Sequence, residues 1–335
     1  MEYPSLDKPK AGAFRFNTDS SQLEIYDGNQ WTGVLSTSPE QHTGGARGLF
    51  AGGRESAPAF SNLIEYINIA TTGNAVDYGD LTRQLGSSAS CSSRTRGVFF
   101  AGQQPAPASY GDQIDYVTIA STGNAVDWGV NMSNVIGPDG FGNETRGLVM
   151  GGNIPSGGSG NTIEYITIAS TGTKNDFGDL NKFISGSQGF ASQTRGVHVA
   201  GGTPGGNINS MQYVTIATTG NTADFGDTTT VRTTFGGCSN AVRGVWGGGS
   251  TPSTVNSIEY ITIATLGNAT DFGDRTVASN QVKACSSSTR GVWGGGTSDV
   301  IDYVQIMTTG NAADFGDLTS RDEFGAALSN GHGGL

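Results

Sequence analysis

The sequence predicts an all-β fold, a β-propeller, and the first observation behind this prediction is a repeat. One pattern, Thr-Arg-Gly-Val followed by Ile-Glu-Tyr-Ile-Thr-Ile-Ala and Asp-Phe-Gly-Asp, recurs six times, with its tyrosines 43 to 50 residues apart. A period of this length is typical of propellers and solenoids, in which each copy is one supersecondary unit. The tyrosines that mark the repeat are Tyr66, Tyr116, Tyr165, Tyr213, Tyr260 and Tyr303.

The second observation is that each copy contains four short segments with the pattern of β-strands. In the copy at residues 234–274, small residues at 236–240 come first, followed by a segment at 243–249 that ends in glycines. An apolar segment at 258–264 and a segment at 269–274 complete the copy, with a Gly-Asn turn between them. Four short strands joined by tight turns are the unit of a propeller blade.

The third observation concerns the two faces of the third strand. In residues 163–169, Ile163 and Tyr165 lie on one face, and Ile166 and Ile168 lie on the other. An exposed antiparallel sheet has one polar face, whereas a blade packed between two others needs two apolar faces. A β-solenoid with the same repeat is the alternative, although solenoid coils are usually shorter.

Each copy also carries an aromatic residue on its fourth strand. The order of an apolar-Gly-Gly strand, a strand with tyrosine and a strand with an aromatic residue resembles the kelch repeat over residues 41–318. Gln103 replaces the second glycine in the second copy, and phenylalanine mostly replaces the kelch tryptophan. The resemblance implies a propeller and identifies no partner. The fourth-strand aromatic residues are Tyr78, Trp128, Phe177, Phe225, Phe272 and Phe315.

The two chain ends contain partial units. Residues 13–34 contain three strand-like segments, and residues 324–330 match the first-strand segment of a repeat. We therefore predict seven blades of four antiparallel strands: six full repeats, and a seventh blade formed by residues 13–35 together with residues 320–335. The predicted domains are an N-terminal arm at 1–12 and one propeller at 13–335. This arrangement removes exposed sheet edges. The alternative is six blades with a separate N-terminal hairpin.

The N-terminal segment carries a second resemblance. Residues 12–19 followed by residues 23–31 resemble a short hairpin module of structural proteins from tailed phages, in particular fibre-like and other virion-surface proteins of marine phages. The resemblance implies a structural virion protein on the phage tail or capsid, made in the host cytoplasm. Other virion proteins would be its partners, and a host surface receptor or glycan is a further candidate. Several copies around a symmetric virion axis fit the same expectation.

The composition limits the classes of partner. The chain has 29 acidic and 18 basic residues, with a formal net charge of −11, and a nucleic-acid interface needs a basic face. We therefore expect no nucleic-acid partner. We also expect no membrane span, because no apolar run reaches about 18 residues. Cys91, Cys238 and Cys285 share one repeat position, so we expect three separate, reduced thiols.

Catalytic motifs are weak in this sequence. Asp-Phe-Gly recurs without the His-Arg-Asp loop or strand lysine of a kinase. His42, His198 and His332 occupy unrelated repeat positions, which argues against a metal triad. Residues 27–31 resemble the aspartate box of sialidase propellers, which that family repeats and this chain contains once. We expect no enzyme activity, metal or cofactor. The alternatives are a glycan-binding or glycan-cleaving propeller and a soluble kelch-like adaptor.

Two charged sets recur once per copy. We predict that the arginines bridge neighbouring blades by pairing with the aspartates, because guanidinium and carboxylate groups pair bidentately. A ring of arginines that binds an anion is the alternative. The aspartates supply too few oxygens for calcium, so we favour turn capping as their other role. The arginines are Arg47, Arg96, Arg146, Arg195, Arg243 and Arg290. The aspartates are Asp77, Asp127, Asp176, Asp224, Asp271 and Asp314.

The loops between the second and third strands differ most between copies. We expect them to gather on one face of the propeller, where a rigid scaffold presents them to partners. The first two loops supply the predicted contact residues, since exposed aromatic side chains suit an interface. Drift in unselected turns is the alternative explanation. The predicted contact residues are Arg54, Phe60, Pro105, Pro107 and Tyr110.

Overall fold

The computed structural model describes residues 9–17, 22–33, 46–56, 59–106, 110–320 and 323–335. These residues contain 29 β-strands and no helix. The chain divides into two compact units, Met1–Gln41 and His42–Leu335. No helix that is long and apolar enough to cross a membrane occurs in the described part of the chain.

The first unit contains a three-stranded antiparallel sheet. Its strands, in sheet order, are β1 (Phe14–Asn17), β2 (Gln22–Tyr26) and β3 (Trp31–Gly33). The turn between β2 and β3 is held by Asp27, whose Oδ1 accepts hydrogen bonds from the backbone N–H groups of Asn29 and Gln30. These strands match the three segments that the sequence pattern indicates for residues 13–34.

The second unit contains six four-stranded antiparallel sheets among its described residues, named sheets I to VI here. Sheet I contains β4 (Arg47–Ser56), β5 (Ala59–Asn68) and β6 (Val76–Asp80). Sheet II contains β7 (Ala89–Ser92), β8 (Arg96–Gln103), β9 (Tyr110–Thr118) and β10 (Val126–Val135). Sheet III contains β11 (Asp139–Gly142), β12 (Arg146–Met150), β13 (Thr162–Thr167) and β14 (Asn175–Asp179). Sheet IV contains β15 (Gln188–Ala191), β16 (Arg195–Thr203), β17 (Gly206–Thr215) and β18 (Ala223–Asp227).

The remaining sheets follow the same order of strands. Sheet V contains β19 (Gly236–Ser239), β20 (Arg243–Gly247), β23 (Ser257–Thr262) and β24 (Thr270–Asp274), with a small hairpin of β21 (Ser250–Thr251) and β22 (Ser253–Thr254) inserted. Sheet VI contains β25 (Lys283–Ser286), β26 (Arg290–Gly294), β27 (Val300–Gln305) and β28 (Ala313–Asp317). The last strand, β29 (Ala326–Ser329), is the first strand of sheet I.

The pairing of β29 corrects the prediction for the chain ends. β29 pairs with β4, with Ala326 opposite Ala51 and Ser329 opposite Gly48, while β1 to β3 pair among themselves. The predicted blade made from residues 13–35 and 320–335 is therefore wrong. Sheets II to VI each take their first strand from the residues before their repeat arginine, whereas sheet I takes its first strand from the C-terminus, so the C-terminal strand completes sheet I and not a seventh sheet.

The first strands of the six sheets meet in cyclic order. Strand β29 contacts β7 and β25, and the series β7, β11, β15, β19 and β25 is linked by contacts between successive members. The described residues also form six hydrophobic clusters, and each joins two neighbouring sheets. In the cluster between sheets VI and I, Val292 and Phe315 pack with Ile67 and Ile69. The unit is thus propeller-like, with both faces of each sheet covered.

The glycine after each repeat arginine allows this close packing. A Cβ added at Gly244 would collide with the Phe190 ring of the preceding sheet, and one at Gly147 with the sulfur of Cys91. The first strand therefore inserts its third side chain beneath the neighbouring sheet. Cys91, Cys238 and Cys285 occupy this position; all three are free and buried, as the repeat position predicts. Burial raises the pKa of the Cys238 thiol to about 12, so the thiol is not a nucleophile.

Candidate functional site

The repeat arginines all lie over the tyrosine of their own sheet. The guanidinium carbon is 4.5 Å from the ring centroid in the Arg47–Tyr66 pair and 4.7 Å in the Arg146–Tyr165 pair. A cation over an aromatic face is attracted by the ring quadrupole. The other four pairs, at 4.5 to 4.7 Å, are Arg96–Tyr116, Arg195–Tyr213, Arg243–Tyr260 and Arg290–Tyr303.

Each of these arginines also reaches the next sheet. The Nη1 of Arg47 donates to the carbonyl of Ile119 at 2.9 Å, and the Nη1 of Arg290 in sheet VI donates to the carbonyl of Ile69 in sheet I at 3.0 Å. The series of contacts therefore returns to its starting sheet. The four intermediate acceptors are the carbonyls of Ile168 for Arg96, Ile216 for Arg146, Ile263 for Arg195 and Ile306 for Arg243.

The structure places the repeat aspartates away from these arginines. All six are exposed on the fourth strands, and among their described contacts the ion pair is that of Asp127 with Arg83, at 3.9 Å. The predicted pairing is replaced by arginine–carbonyl bonds, because the aspartates face solvent on the strand farthest from the arginine strand. The neighbouring glycine has a packing role. A Cβ at Gly79 would lie 2.6 Å from the carbonyl oxygen of Gly123 in the next sheet, and its φ is +146°.

A second contact between sheets involves residues that the sequence reasoning did not single out. The polar residue of Ile-Glu-Tyr, or its equivalent, accepts a hydrogen bond from a backbone N–H in or just after the fourth strand of the preceding sheet. In sheet I, Glu65 accepts from Thr319 of sheet VI at 2.9 Å. The sequence does contain a signal for this contact: an acidic residue between apolar residues on a buried strand needs a hydrogen-bond partner. The other acceptors are Asp115, Glu164, Gln212, Glu259 and Asp302.

The predicted contact residues of the first two loops differ in their exposure and in their contacts with other side chains. The Arg54 guanidinium carbon lies 4.7 Å from the Phe60 ring centroid and 5.4 Å from that of Phe324. Arg54 also donates to the side chain of Gln103. Pro105 is exposed and Tyr110 is half-buried, while Pro107 lies outside the described residues. Arg54 therefore packs on Phe60 within sheet I and links sheet I to sheet II through Gln103.

The first strands surround an axis whose one end holds the C-terminal tail. His332 Nδ1 accepts from the backbone N–H of Gly334 at 3.1 Å, so the proton resides on Nε2, which lies 3.0 Å from the carbonyl of Ser92 and donates to it. Burial lowers the pKa of His332 to about 4, which keeps this tautomer neutral. The backbone N–H of Gly333 donates to the carbonyl of Ser239 at 2.9 Å. The tail thus bonds to sheets II and V at once.

The connections that lead into the first strands line a cavity of about 380 Å³ near the axis. Its lining includes Ser187, Gln281 and Lys283, which lie on or just before first strands, and Gln103 and Asn153, which belong to two of the variable loops. Asn153 is exposed, so the rim of the cavity reaches solvent. The variable loops of sheets II and III therefore share a face with this cavity.

A buried carboxyl group lies behind the cavity wall. Asp139 is 1% exposed, and its Oδ1 accepts from the N–H groups of Gly140 and Gly189, whereas its Oδ2 has no hydrogen-bond partner. Burial raises the pKa of Asp139 to about 7, against the lowering effect of Lys283. Burial lowers the pKa of His198, whose Nε2 is 3.8 Å from Oδ2, to about 3. The histidine is therefore neutral and forms no ion pair.

No group of three or more His, Cys, Asp or Glu side chains with metal-binding geometry occurs in the described ranges. Among the described residues, the cavity lining likewise contains no carboxylate. Neither protein-family models nor curated proteins match this chain.

Proposed function

We propose that the chain is a six-bladed β-propeller that serves as a non-enzymatic virion module of a phage. In this proposal the six sheets are the blades, and the separate three-stranded sheet attaches the propeller to the tail or capsid. The resemblance of residues 12–31 to a phage hairpin module supplies the biological setting. The cyclic arginine–carbonyl contacts support a rigid body, which suits a building or binding role.

The observation that carries the proposal is the apolar face of the N-terminal sheet. Phe14 and Phe16 are 64% and 62% exposed, and Leu23 is 45% exposed. The register pairs Phe16 with Leu23 and Phe14 with Ile25, so these side chains share one face. Exposed apolar side chains grouped on a small sheet are typical of a protein interface. Another virion protein is the proposed occupant.

On the opposite face of this sheet, the polar and aromatic side chains contact one another. Arg15 pairs with Glu24 at 2.7 Å and lies 4.3 Å from the Trp31 ring centroid. Tyr26 is buried beside Trp31, with ring centroids 5.3 Å apart. The two faces thus differ in character, and the apolar face is the one that lacks partners within the unit's sheet.

The test is incorporation into phage particles. Phages that encode F14S/F16S should yield purified particles without the protein by mass spectrometry, while the variant accumulates, folded, in the lysate. F183S removes an aromatic side chain of similar exposure, 54%, from the second unit and should leave incorporation unchanged. Particles that lack the wild-type protein, or that contain F14S/F16S at the wild-type level, would refute the proposal.

A glycan-cleaving enzyme is disfavoured by the cavity. Glycosidases use two carboxyl groups about 5 to 10 Å apart, with access to the sugar. Asp139, a carboxyl group near the axis, is buried behind the cavity wall, and the described residues of the lining include no carboxyl group. The cavity has polar groups for binding without a catalytic pair.

A further inference from the structure

Neighbouring sheets of the second unit are joined at their outer strands by a repeated backbone contact. The turn before the fourth strand of one sheet lies against the fourth strand of the preceding sheet. Between sheets IV and V, the N–H of Gly267 donates to the carbonyl of Phe225 at 3.0 Å. The N–H of Ala269 donates to the carbonyl of Asp227 at 2.8 Å. The Oδ1 of Asn268 accepts from the N–H of Asp227 at 3.0 Å, so three hydrogen bonds close this junction.

The same three bonds occur at four other junctions between sheets. A glycine in each fourth strand allows the close approach, since a Cβ at Gly226 would collide with the carbonyl oxygen of Gly267. The turn residues that make the bonds are Gly73, Asn74 and Ala75 for sheets VI and I; Gly123, Asn124 and Ala125 for sheets I and II; Gly220, Asn221 and Thr222 for sheets III and IV; and Gly310, Asn311 and Ala312 for sheets V and VI.

The turn of sheet III differs from the other five turns. Its glycine, Gly172, donates its N–H to the carbonyl of Ser170 in the same turn at 2.8 Å, and not to sheet II. Thr173 and Lys174 follow it, where the other turns have asparagine and then alanine or threonine. The turn therefore lacks the asparagine that accepts from the preceding fourth strand.

Strand β10 differs on the other side of the same junction. Three residues lie between its pairing positions Asp127 and Asn131, whereas two lie between Asp77 and Asp80 of β6. The additional residue removes the close approach, because a Cβ at Gly129 would meet nothing within 4 Å. None of the three backbone bonds joins sheets II and III in the described part of the chain.

Side chains close this junction instead. The Nε1 of Trp128 donates to the carbonyl of Gly172 at 3.0 Å. The Nζ of Lys174 donates to the Oγ of Ser133 in sheet II at 3.2 Å and pairs with Glu164 of its own sheet at 2.6 Å. The Lys174 side chain is 33% exposed, so water weakens these bonds. Side chains also change rotamer without movement of the backbone, so they hold a junction less firmly than backbone bonds.

We propose that the junction between sheets II and III is a latch, closed by Trp128 and Lys174, at which the second unit opens more readily than at its other junctions. The arginine–carbonyl bond nearer the axis recurs at all six junctions, so the outer contact sets the difference between them. Opening uncovers the apolar cluster between the two sheets, which includes Met132, Val149 and Ile166. The inference concerns the second unit alone and is independent of the virion proposal.

The wild-type chain carries its own probes of this opening. Cys91 packs between sheets II and III, Cys238 between sheets V and VI, and Cys285 between sheets VI and I. All three thiols are free and buried. A thiol reagent therefore labels each cysteine only after the surrounding junction opens.

The test is labelling of the folded full chain with iodoacetamide, followed by mass spectrometry of each cysteine peptide. Each rate is normalised to the rate of the same cysteine in denaturant. We expect Cys91 to be labelled at least about tenfold faster than Cys238 and Cys285, because its junction lacks the three backbone bonds. Equal rates would mean that the unit opens only as a whole. Equal rates, or a faster rate for Cys238 or Cys285, would overturn the proposal.

A pair of matched variants tests the latch itself. K174A removes the bond to Ser133 and should raise the labelling rate of Cys91 at least about threefold, with the other two cysteines unchanged. K182A removes a similar bond between sheets III and IV, from Nζ to the Oγ of Ser210 at 3.2 Å, and should leave all three rates unchanged. An unchanged rate for Cys91 in K174A, or an equal rise at all three cysteines, would contradict the latch.

A third variant restores the contact that the other junctions have. Deletion of Val130 together with T173N/K174A gives β10 and the sheet III turn the spacing and residues of the closed junctions. We expect the labelling rate of Cys91 to fall to that of Cys238, while the rate of Cys238 stays constant. A folded variant in which Cys91 keeps its wild-type rate would show that the missing backbone contact does not control the opening.

Discussion

At the scale of single residues, burial shifts two histidines and one aspartic acid of the second unit towards their neutral forms. His198 and His332 both have pKa values well below the usual 6.5, because burial penalises the imidazolium ion. Asp139 has a raised pKa for the same reason. Buried groups that remain neutral contribute no charge repulsion to the ring, and they link its stability to pH.

The clearest such link is His332. Its Nδ1 accepts the N–H of Gly334, so only the neutral ring keeps this bond. The unfolded chain takes up a proton near pH 6.5 and the folded chain near pH 4, so the contribution is present above 6.5 and is lost as pH falls towards 4. H332Q keeps a donor and an acceptor but does not titrate. We expect the Tm of the wild type to fall relative to that of H332Q between pH 7 and pH 4.5. A constant difference in Tm across this range would contradict the assignment.

At the scale of strands, the arginine that begins each second strand connects sheets. Its aromatic contact lies within one sheet, and its hydrogen bond lies between two. This dual contact explains why the arginine, the tyrosine and the following glycine recur together. The tyrosine also packs edge-on against the fourth-strand aromatic residue, as Tyr165 does against Phe177, with centroids 5.9 Å apart.

The arginine contact predicts a stability effect. R146M keeps much of the apolar stem but loses the bond to the Ile216 carbonyl and the contact with the Tyr165 ring. We expect a loss of about 2 kcal/mol in the free energy of unfolding, the sum of a charge-assisted hydrogen bond and a cation–π contact. Urea denaturation is the measurement. R94M, which breaks the exposed Arg94–Glu144 pair at 3.2 Å, should cost less than about 1 kcal/mol. Equal losses in the two variants would contradict the inter-sheet role.

At the scale of the whole molecule, the second unit is closed by pairing between residues far apart in sequence. The N–H of Arg47 donates to the Asn330 side chain, 283 residues away, and β29 fills the first position of sheet I. The pairing covers the free edge of β4 and makes the stability of the N-terminal strands of this unit depend on its C-terminal strand. The C-terminal tail beyond β29 adds bonds to other sheets near the axis.

The pairing of β29 with β4 predicts that deletion of the C-terminal strand lowers the Tm much more than deletion of the N-terminal unit. Deletion of residues 324–335 removes β29 and the tail, so we expect a fall in Tm of more than about 10 °C or a failure to fold. Deletion of residues 1–41 removes a separate compact unit, and the Tm of the remainder should change by less than about 2 °C. Circular dichroism melting of both truncations is the measurement. A larger effect of the N-terminal deletion would restore the shared-blade arrangement that the strand pairing contradicts.

The sequence by itself determined the repeat, the four strands of each copy, their two apolar faces, the three N-terminal strands and the free cysteines, because these depend on local pattern and composition. Tertiary structure alone decided which sheet receives the C-terminal strand, since residues 324–330 match the first strand of any copy. It also decided that the arginines bond to isoleucine carbonyls, because a backbone acceptor has no sequence signature. The axial cavity and its unpartnered Ser187 exist only where segments from separate copies meet, which no single repeat encodes.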